Sequence, residues 1–314
     1  MTRPARPPLG FVLVTHAEPE QAVRLATRLR QLYGSAPIAL HHDFSQAPLD
    51  VSRLPAGVQV VREHLRTSWG SWNIVEGILR ALELLYREEG PDYAALLSGS
   101  DYPVAPPSRV IEDLRSGGAD AYLDARPVDP WHRDPGPPGP LGYRVNQGAG
   151  NQHLCFKRYY HRTFGWRSRK WLRVHVRSRR LSPPFSPFSR RFRCWAGELW
   201  CTLGRRAVES VLRARRSRPD LVRWFASHDV PDEAFIHTVT RNDPELRIDP
   251  RNFRYVDWSQ GSHPRSLSVE DLPAIDTSGA HFARKFAAGA PVLDLLDARL
   301  GLASGAGGTN GAHP

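Results

Sequence analysis

Cysteine, methionine and lysine are scarce in this sequence. Three Cys among 314 residues cannot build a disulfide framework, and Cys155, Cys194 and Cys201 lack the C-x-x-C spacing of a zinc knuckle. They read as buried or free thiols of a reducing compartment. No apolar run approaches the roughly 20 residues that span a bilayer. The first apolar stretch, Phe11 to Val14, is too short for a signal-peptide core, and no A-x-A cleavage site follows it. The expectation is a cytoplasmic protein. Several chemical signatures are missing as well: GxxxxGK[ST], GxGxxG after the first strand, HExxH, Gly-x-Ser-x-Gly and an Asp-x-Asp metal clamp. Their absence weighs against kinases, dehydrogenases, metalloproteases and metal-dependent sugar transferases.

What is present is an ordinary globular composition, 40% hydrophobic and 24% charged, with a net charge of +11. The positive charge is almost all arginine. Lysine occurs only at Lys157, Lys170 and Lys285. Arginines crowd the stretch 156–195, and no acid falls between Arg162 and Trp195. Such a stretch reads as a solvated basic insertion or as a peripheral contact with an anionic membrane face or glycan. Arg interleaved with Trp and Phe also suits single-stranded nucleic acid, the weakest of these readings.

Along the chain, periodicity predicts a strand over Gly10–Thr15, a helix over Glu18–Tyr33 and a strand over Ala36–Leu40. A strand at Val58–Val61, a helix over Ser71–Glu88 and a strand at Tyr93–Leu97 follow. This β-α-β-β-α-β order implies a doubly wound, largely parallel α/β sheet. Ligands of such sheets bind beyond the carboxyl ends of the strands. Those ends carry Thr15-His16, His42-Asp43, Arg62-Glu63 and Ser98-Gly99-Ser100-Asp101. Each alone suits a turn; four together suit a cleft. Further on, Trp195 to Leu203 reads as one strand, Arg206–Arg215 as a helix, and Val230-Pro-Asp-Glu233 as the opening of another helix. Strands are expected at Leu246–Ile248 and Phe253–Val256, and a last helix over Leu293–Leu302.

A set of short patterns recurs in a fixed order. They are Trp69-Gly-Ser-Trp72 before a helix, Leu97-Ser-Gly-Ser-Asp-Tyr-Pro103, Gly197-Glu-Leu-Trp-Cys-Thr-Leu203 and Pro231-Asp-Glu-Ala-Phe235. Trp258 with His263-Pro-Arg-Ser-Leu267, then Phe282-Ala-Arg-Lys-Phe286, complete it. In that order they resemble the core-2/I-branching β-1,6-N-acetylglucosaminyltransferase family, which includes the peptide O-xylosyltransferases. The resemblance covers residues 10–287. It implies a GT-A-like nucleotide-diphospho-sugar transferase fold, a single large domain with a Rossmann-like N-terminal half. Residues 10–125 would bind the nucleotide sugar, and 126–290 would hold the acceptor and the catalytic group. Segments 1–9 and 303–314 read as loose tails. The expectation is a soluble bacterial-type member, without the disulfide-rich lumenal domain and membrane anchor of vertebrate members.

The resemblance implies inverting transfer from a UDP-sugar without metal or other cofactor. Glu233 matches the family's general base, though the same residue suits a helix cap. Lys285 matches one of two cations that replace a metal at the diphosphate. Arg265 matches the other, with Arg284 as its competitor. Thr15, His16, His42, Asp43 and Arg62 stand where strand ends meet the nucleoside. Asp101 and Tyr102 fall in the turn beside the sugar, and Asp124, Trp200, Tyr255 and Trp258 are candidates for sugar or acceptor contact. For Trp69, Trp72 and Trp200, core packing is an equal reading. The acceptor is a glycan or other hydroxyl. The expected donor is UDP-N-acetylglucosamine, with UDP-xylose as the alternative.

Overall fold

A computed structural model describes residues 6–128, 186–259 and 263–302. A seven-stranded mixed sheet organises the chain, in the order β10-β6-β9-β4-β1-β2-β3. At its centre β1 (Leu9–Thr15) pairs in parallel with β2 (Ile38–His42) and β4 (Tyr93–Ser98), and β2 pairs in parallel with β3 (Val58–Val60). This 3-2-1-4 order is that of the central strands of a doubly wound α/β sheet. The far edge is built differently. Strand β9 (Thr202–Gly204) runs antiparallel between β4 and β6 (Ala121–Tyr122), and β10 (Ile248–Asp249) closes the edge parallel to β6.

Alternation along β1 explains why this strand reads as a continuous apolar run. Leu9, Phe11 and Leu13 enter one core, while Val12 and Val14 enter the other. Helices α1 (Pro19–Tyr33), α3 (Pro107–Gly117), α7 (Leu272–Ser278) and α8 (Pro291–Arg299) cover the first face. Helices α2 (Trp72–Leu85), α4 (Arg205–Ser217), α5 (Pro219–Ala226) and α6 (Phe235–Arg241) cover the second. Helix α1 starts on Pro19 and stops at Gly34, whose φ of 58° only glycine adopts freely. A small sheet, β11 (Arg254–Val256), β12 (Phe282–Arg284) and β5 (Tyr102–Pro103), stands beside the large one, and β7 (Ala125–Pro127) pairs with β8 (Trp195–Gly197).

Three sequence expectations need correction. Residues 7–9 are tied down: the Pro7 and Pro8 carbonyls accept from the Asp92 and Tyr93 amides at 2.9 and 3.2 Å, and Leu9 already belongs to β1. Trp195–Leu203 is two strands in different sheets, because the chain turns at Glu198–Cys201. The helix expected from Val230 is a short 3-10 turn, Pro231–Glu233, followed separately by α6. Val230 has φ 58° and Ala234 φ −136°, so the backbone breaks on both sides of the turn.

Most of the Arg-rich stretch, together with residues 1–5 and 303–314, lies outside the described residues. Its described end is packed against the body of the protein. Phe188 meets Trp224 and Phe225 edge-on, and the Arg241 guanidinium covers the Trp195 ring at 4.3 Å. Cys194 and Cys201 are both buried. Among the described residues no helix is long and apolar enough to cross a membrane.

Candidate active site

A cleft of about 350 Å³ opens beyond the carboxyl ends of β1 and β4. Thr15 and His16 from β1 and Ser98 to Ser100 from β4 form its floor. Glu198, Leu199 and Trp200 enter from the turn between β8 and β9. Asp232 and Glu233 come from the 3-10 turn, and Arg284 and Lys285 from the end of β12. Trp258 and His263 also reach the lining.

The two cations are held by strand pairing. Val256 of β11 is in register with Arg284, and Ala283 with Tyr102 of β5. Beyond the strand, the Lys285 carbonyl accepts from the Leu267 amide at 2.8 Å, and the Phe286 amide donates to the Ser100 carbonyl at 2.9 Å. The Arg284 guanidinium lies 4.9 Å from the Trp200 ring centre. Its Nε is 3.5 Å from Asp101 Oδ2, and its Nη1 is 4.0 Å from Glu198 Oε2. Burial, then the charge of Arg284, pull the Lys285 ammonium below its ordinary range, against the opposing pull of Asp101 and Glu198. A dianionic group between the two cations would relieve that strain on charge.

The turn bearing Glu233 is fixed from behind. The Val230 amide donates to the Gly70 carbonyl at 2.8 Å. Gly70 has φ 66°, and a Cβ there would sit 3.0 Å from Val230 Cγ2, so this approach needs glycine. Trp72 packs edge-on against Phe235 at 5.0 Å. The Trp69-Gly-Ser-Trp72 pattern is therefore a brace for the Pro-Asp-Glu turn. Trp72 is partly buried against the core, whereas Trp69 is 75% exposed at the rim of the cleft.

Of the residues singled out in the sequence, Thr15, His16, Trp200, Glu233, Trp258, Arg284 and Lys285 meet in the cleft. Trp69 and Ser98 to Ser100 line it too, whereas the remaining candidate site residues do not. Arg265 pairs with both Asp257 and Asp271 at 2.5 Å, so its guanidinium is already committed to two carboxylates. His42 is buried, with Nδ1 2.7 Å from Thr15 Oγ1 and Nε2 donating to the Ala47 carbonyl at 2.8 Å. Asp43 accepts from Ser45, Gln46 and Thr67. Although burial opposes it, these hydrogen bonds hold its carboxyl below the usual carboxylate range. Arg62 is exposed away from the cleft. Tyr102 is a buried strut that accepts from Arg24 and donates to Asp297 at 2.7 Å. Asp101 is wholly buried, takes the Ser98 amide at 2.7 Å and backs Arg284. Asp124 lies beside Arg126, and burial raises its carboxyl. Tyr255 is half-buried, outside the lining.

Sequence reasoning passed over Glu198, Asp232, His263 and the pair Gln46 and Thr67, all of which line the cleft. Glu198 and Asp232 stand inside patterns already noted, next to residues that drew attention first. Gln46 and Thr67 carry no local signal. They are delivered by the hydrogen bonds of Asp43, which therefore works one layer behind the surface. Among the described residues no three His, Cys, Asp or Glu side chains gather as a metal site.

Residues 155–278 match the family described as Branch: Core-2/I-Branching enzyme. The matched stretch contains Glu198, Glu233, Trp258 and Arg265 and ends before Arg284 and Lys285. Two Arabidopsis thaliana proteins, Beta-glucuronosyltransferase GlcAT14B and Beta-glucuronosyltransferase GlcAT14A, are 30% and 31% identical over 114 residues. That is 35% of this chain and 26% of each relative, so the chain spans about a quarter of the length of the curated relatives it matches. A solved structure of S. aureus TarS, residues 1–349, is similar over 40% of this chain and 38% of that one, with 13% identity and a TM-score of 0.23.

Proposed function

We propose that this chain is an inverting glycosyltransferase that takes a nucleoside-diphospho-sugar in the cleft and needs no metal. The observation that carries the reading is the opposition, in one cleft, of a carboxylate on a braced turn to two cations on a strand end: Glu233 against Lys285 and Arg284. In the step, an acceptor hydroxyl gives its proton to Glu233 while its oxygen attacks the anomeric carbon. The bond from that carbon to the diphosphate oxygen breaks, and its electron pair leaves with the nucleoside diphosphate. Lys285, a point charge, and Arg284, a bidentate fork, meet the charge that develops there. Arg284 takes the place expected of Arg265, whose charge is neutralised by Asp257 and Asp271.

The polar end of β1, Thr15-His16, is the natural seat of the nucleoside, as in other sheets of this order. Trp258 and Trp200 offer apolar faces to a pyranose. UDP is the nucleoside diphosphate we assign, with N-acetylglucosamine as the transferred sugar and xylose as the alternative. The names of the Arabidopsis relatives add glucuronate to the sugars worth testing. UDP release from a panel of UDP-sugars, with and without EDTA, tests the reading. Turnover that survives EDTA is expected, and strict dependence on a divalent metal overturns the metal-free mechanism.

A further inference from the structure

We infer that Trp69 is the platform on which this cleft stacks the apolar face of an acceptor pyranose. The inference rests on the cleft being a sugar-transfer site. Among the described residues Trp69 is the most exposed large apolar side chain, at 75%, and it lies on the rim of the cleft. A lone exposed apolar side chain is ordinary on a surface. Trp69 differs in how firmly its backbone is held.

The segment 67–71 is clamped from both ends. On one side, the Thr67 amide and hydroxyl donate to Asp43 Oδ2 at 2.6 and 2.9 Å, and Asp43 is wholly buried. Gln46 Nε2 donates to the Thr67 carbonyl at 3.0 Å. On the other side, the Gly70 carbonyl accepts from the Val230 amide at 2.8 Å. Between these anchors the turn closes on itself. The Ser71 amide donates to the Ser68 carbonyl at 3.0 Å, and the Ser68 amide donates to Ser71 Oγ at 3.2 Å. Gly70, at the third position with φ 66°, supplies the left-handed conformation of such a turn. Trp69 thus stands at the second position of a fixed turn while its ring faces solvent. Little backbone freedom is left to lose when a ligand covers that ring.

The same clamp indicates which ligand the ring serves. Val230, bonded to Gly70, is the residue immediately before the 3-10 turn Pro231–Glu233. Trp69 and Glu233 are therefore tied to each other through one backbone hydrogen bond, and both line the cleft. In the proposed step the acceptor hydroxyl must reach Glu233, whereas the diphosphate must reach Arg284 and Lys285 at the end of β12. A ring tied to the Glu233 turn sides with the acceptor. An indole covers the C–H face of a pyranose and leaves the hydroxyls around the ring free to meet a carboxylate.

UDP release by the full chain from UDP-N-acetylglucosamine, UDP-xylose and UDP-glucuronate tests this. It is measured first with water as the acceptor, then with the methyl β-glycosides of glucose, galactose, xylose and N-acetylglucosamine. At least one glycoside should accelerate release by the wild type. In Trp69→Ala the KM for that glycoside should rise about tenfold. Affinity for UDP, read by calorimetry, and the melting temperature should stay near those of the wild type, and Trp69→Phe should recover most of the loss. Release that no glycoside accelerates overturns the inference, even if the alanine variant does not fold. An unchanged glycoside KM in Trp69→Ala also overturns it. So does a UDP affinity that falls as far as the KM rises, which would put the ring over the nucleoside instead. Absence of UDP binding, or of release from every donor, fails the sugar-transfer reading itself, a separate result read before any glycoside is added.

Discussion

At the scale of single residues, the cleft sorts its arginines by their partners. Arg265 and Arg284 carry the same group, but two carboxylates hold Arg265 at 2.5 Å, while the Asp101 carboxylate stands 3.5 Å from Arg284 Nε. Moving Arg265 to a phosphate would strand Asp257 and Asp271 without their cation. Arg284→Ala or Lys285→Ala should weaken UDP binding about 10- to 100-fold, the loss of one charge-assisted contact. Arg265→Ala should lower the melting temperature and leave UDP affinity near that of the wild type. Calorimetry and thermal melting on the three variants separate these outcomes, and a large UDP effect in Arg265→Ala would return that residue to the site. Glu233→Gln should reduce transfer about 10²- to 10⁴-fold with UDP binding retained. Wild-type turnover in that variant would remove Glu233 from the mechanism. Lys285 was legible in the sequence because lysine is so rare there. The choice between Arg265 and Arg284 was not, since it depends on which carboxylates fold beside each.

Turns, more than helices or strands, shape the cleft at the scale of elements. Gly197 ends β8 against β7, where a Cβ would stand 1.7 Å from the Asp124 carbonyl oxygen. That contact forces the chain away from β7 and aims Glu198–Trp200 at the cleft. Gly197→Ala should therefore cost about 1–3 kcal/mol by overpacking, and should reduce sugar-nucleotide turnover. Equal melting temperature and activity in this variant would show that the turn is not set by the close approach. The apolar spacing of α1 and α2 was readable, because each buries one face against the sheet. The break of Trp195–Leu203 into two strands was not. Its apolar residues alternate well enough for one strand, and only pairing with β7 on one side and with β4 and β6 on the other divides it.

Across the whole molecule, burial of neutral histidines links stability to pH. Burial first, with His64 and Arg80 adding to it against Asp43, brings His41 down to about 4. Burial brings His237 to about 4 as well, against its bond to the Glu198 carbonyl. An unfolded histidine titrates near 6.5. Between pH 6.5 and 4 the unfolded chain binds protons that the folded chain refuses, so stability falls as the pH is lowered through that window. Asp43, held low in the fold, adds a further loss below the ordinary carboxylate range. The melting temperature should be flat above pH 7 and fall steadily towards pH 4. A melting temperature unchanged over that interval would contradict the neutral, buried state of both imidazoles.

The sequence by itself indicated the central β-α-β-β-α-β order and the polar strand ends, and it singled out Glu233 and Lys285, which the fold brings into one cleft. Those features are local: periodicity sets elements, parallel order sets the polar end of the sheet, and composition makes one lysine conspicuous. Tertiary structure decided the rest. It turned His42, Asp43, Asp101 and Tyr102 inward as supports, paired Arg265 away and brought Arg284 to Trp200. It also set Glu198 beside Arg284. A charged or polar side chain has the same formula in a site and in a strut. Which role it takes follows from the groups that folding places within hydrogen-bond reach, and these come from distant parts of the chain.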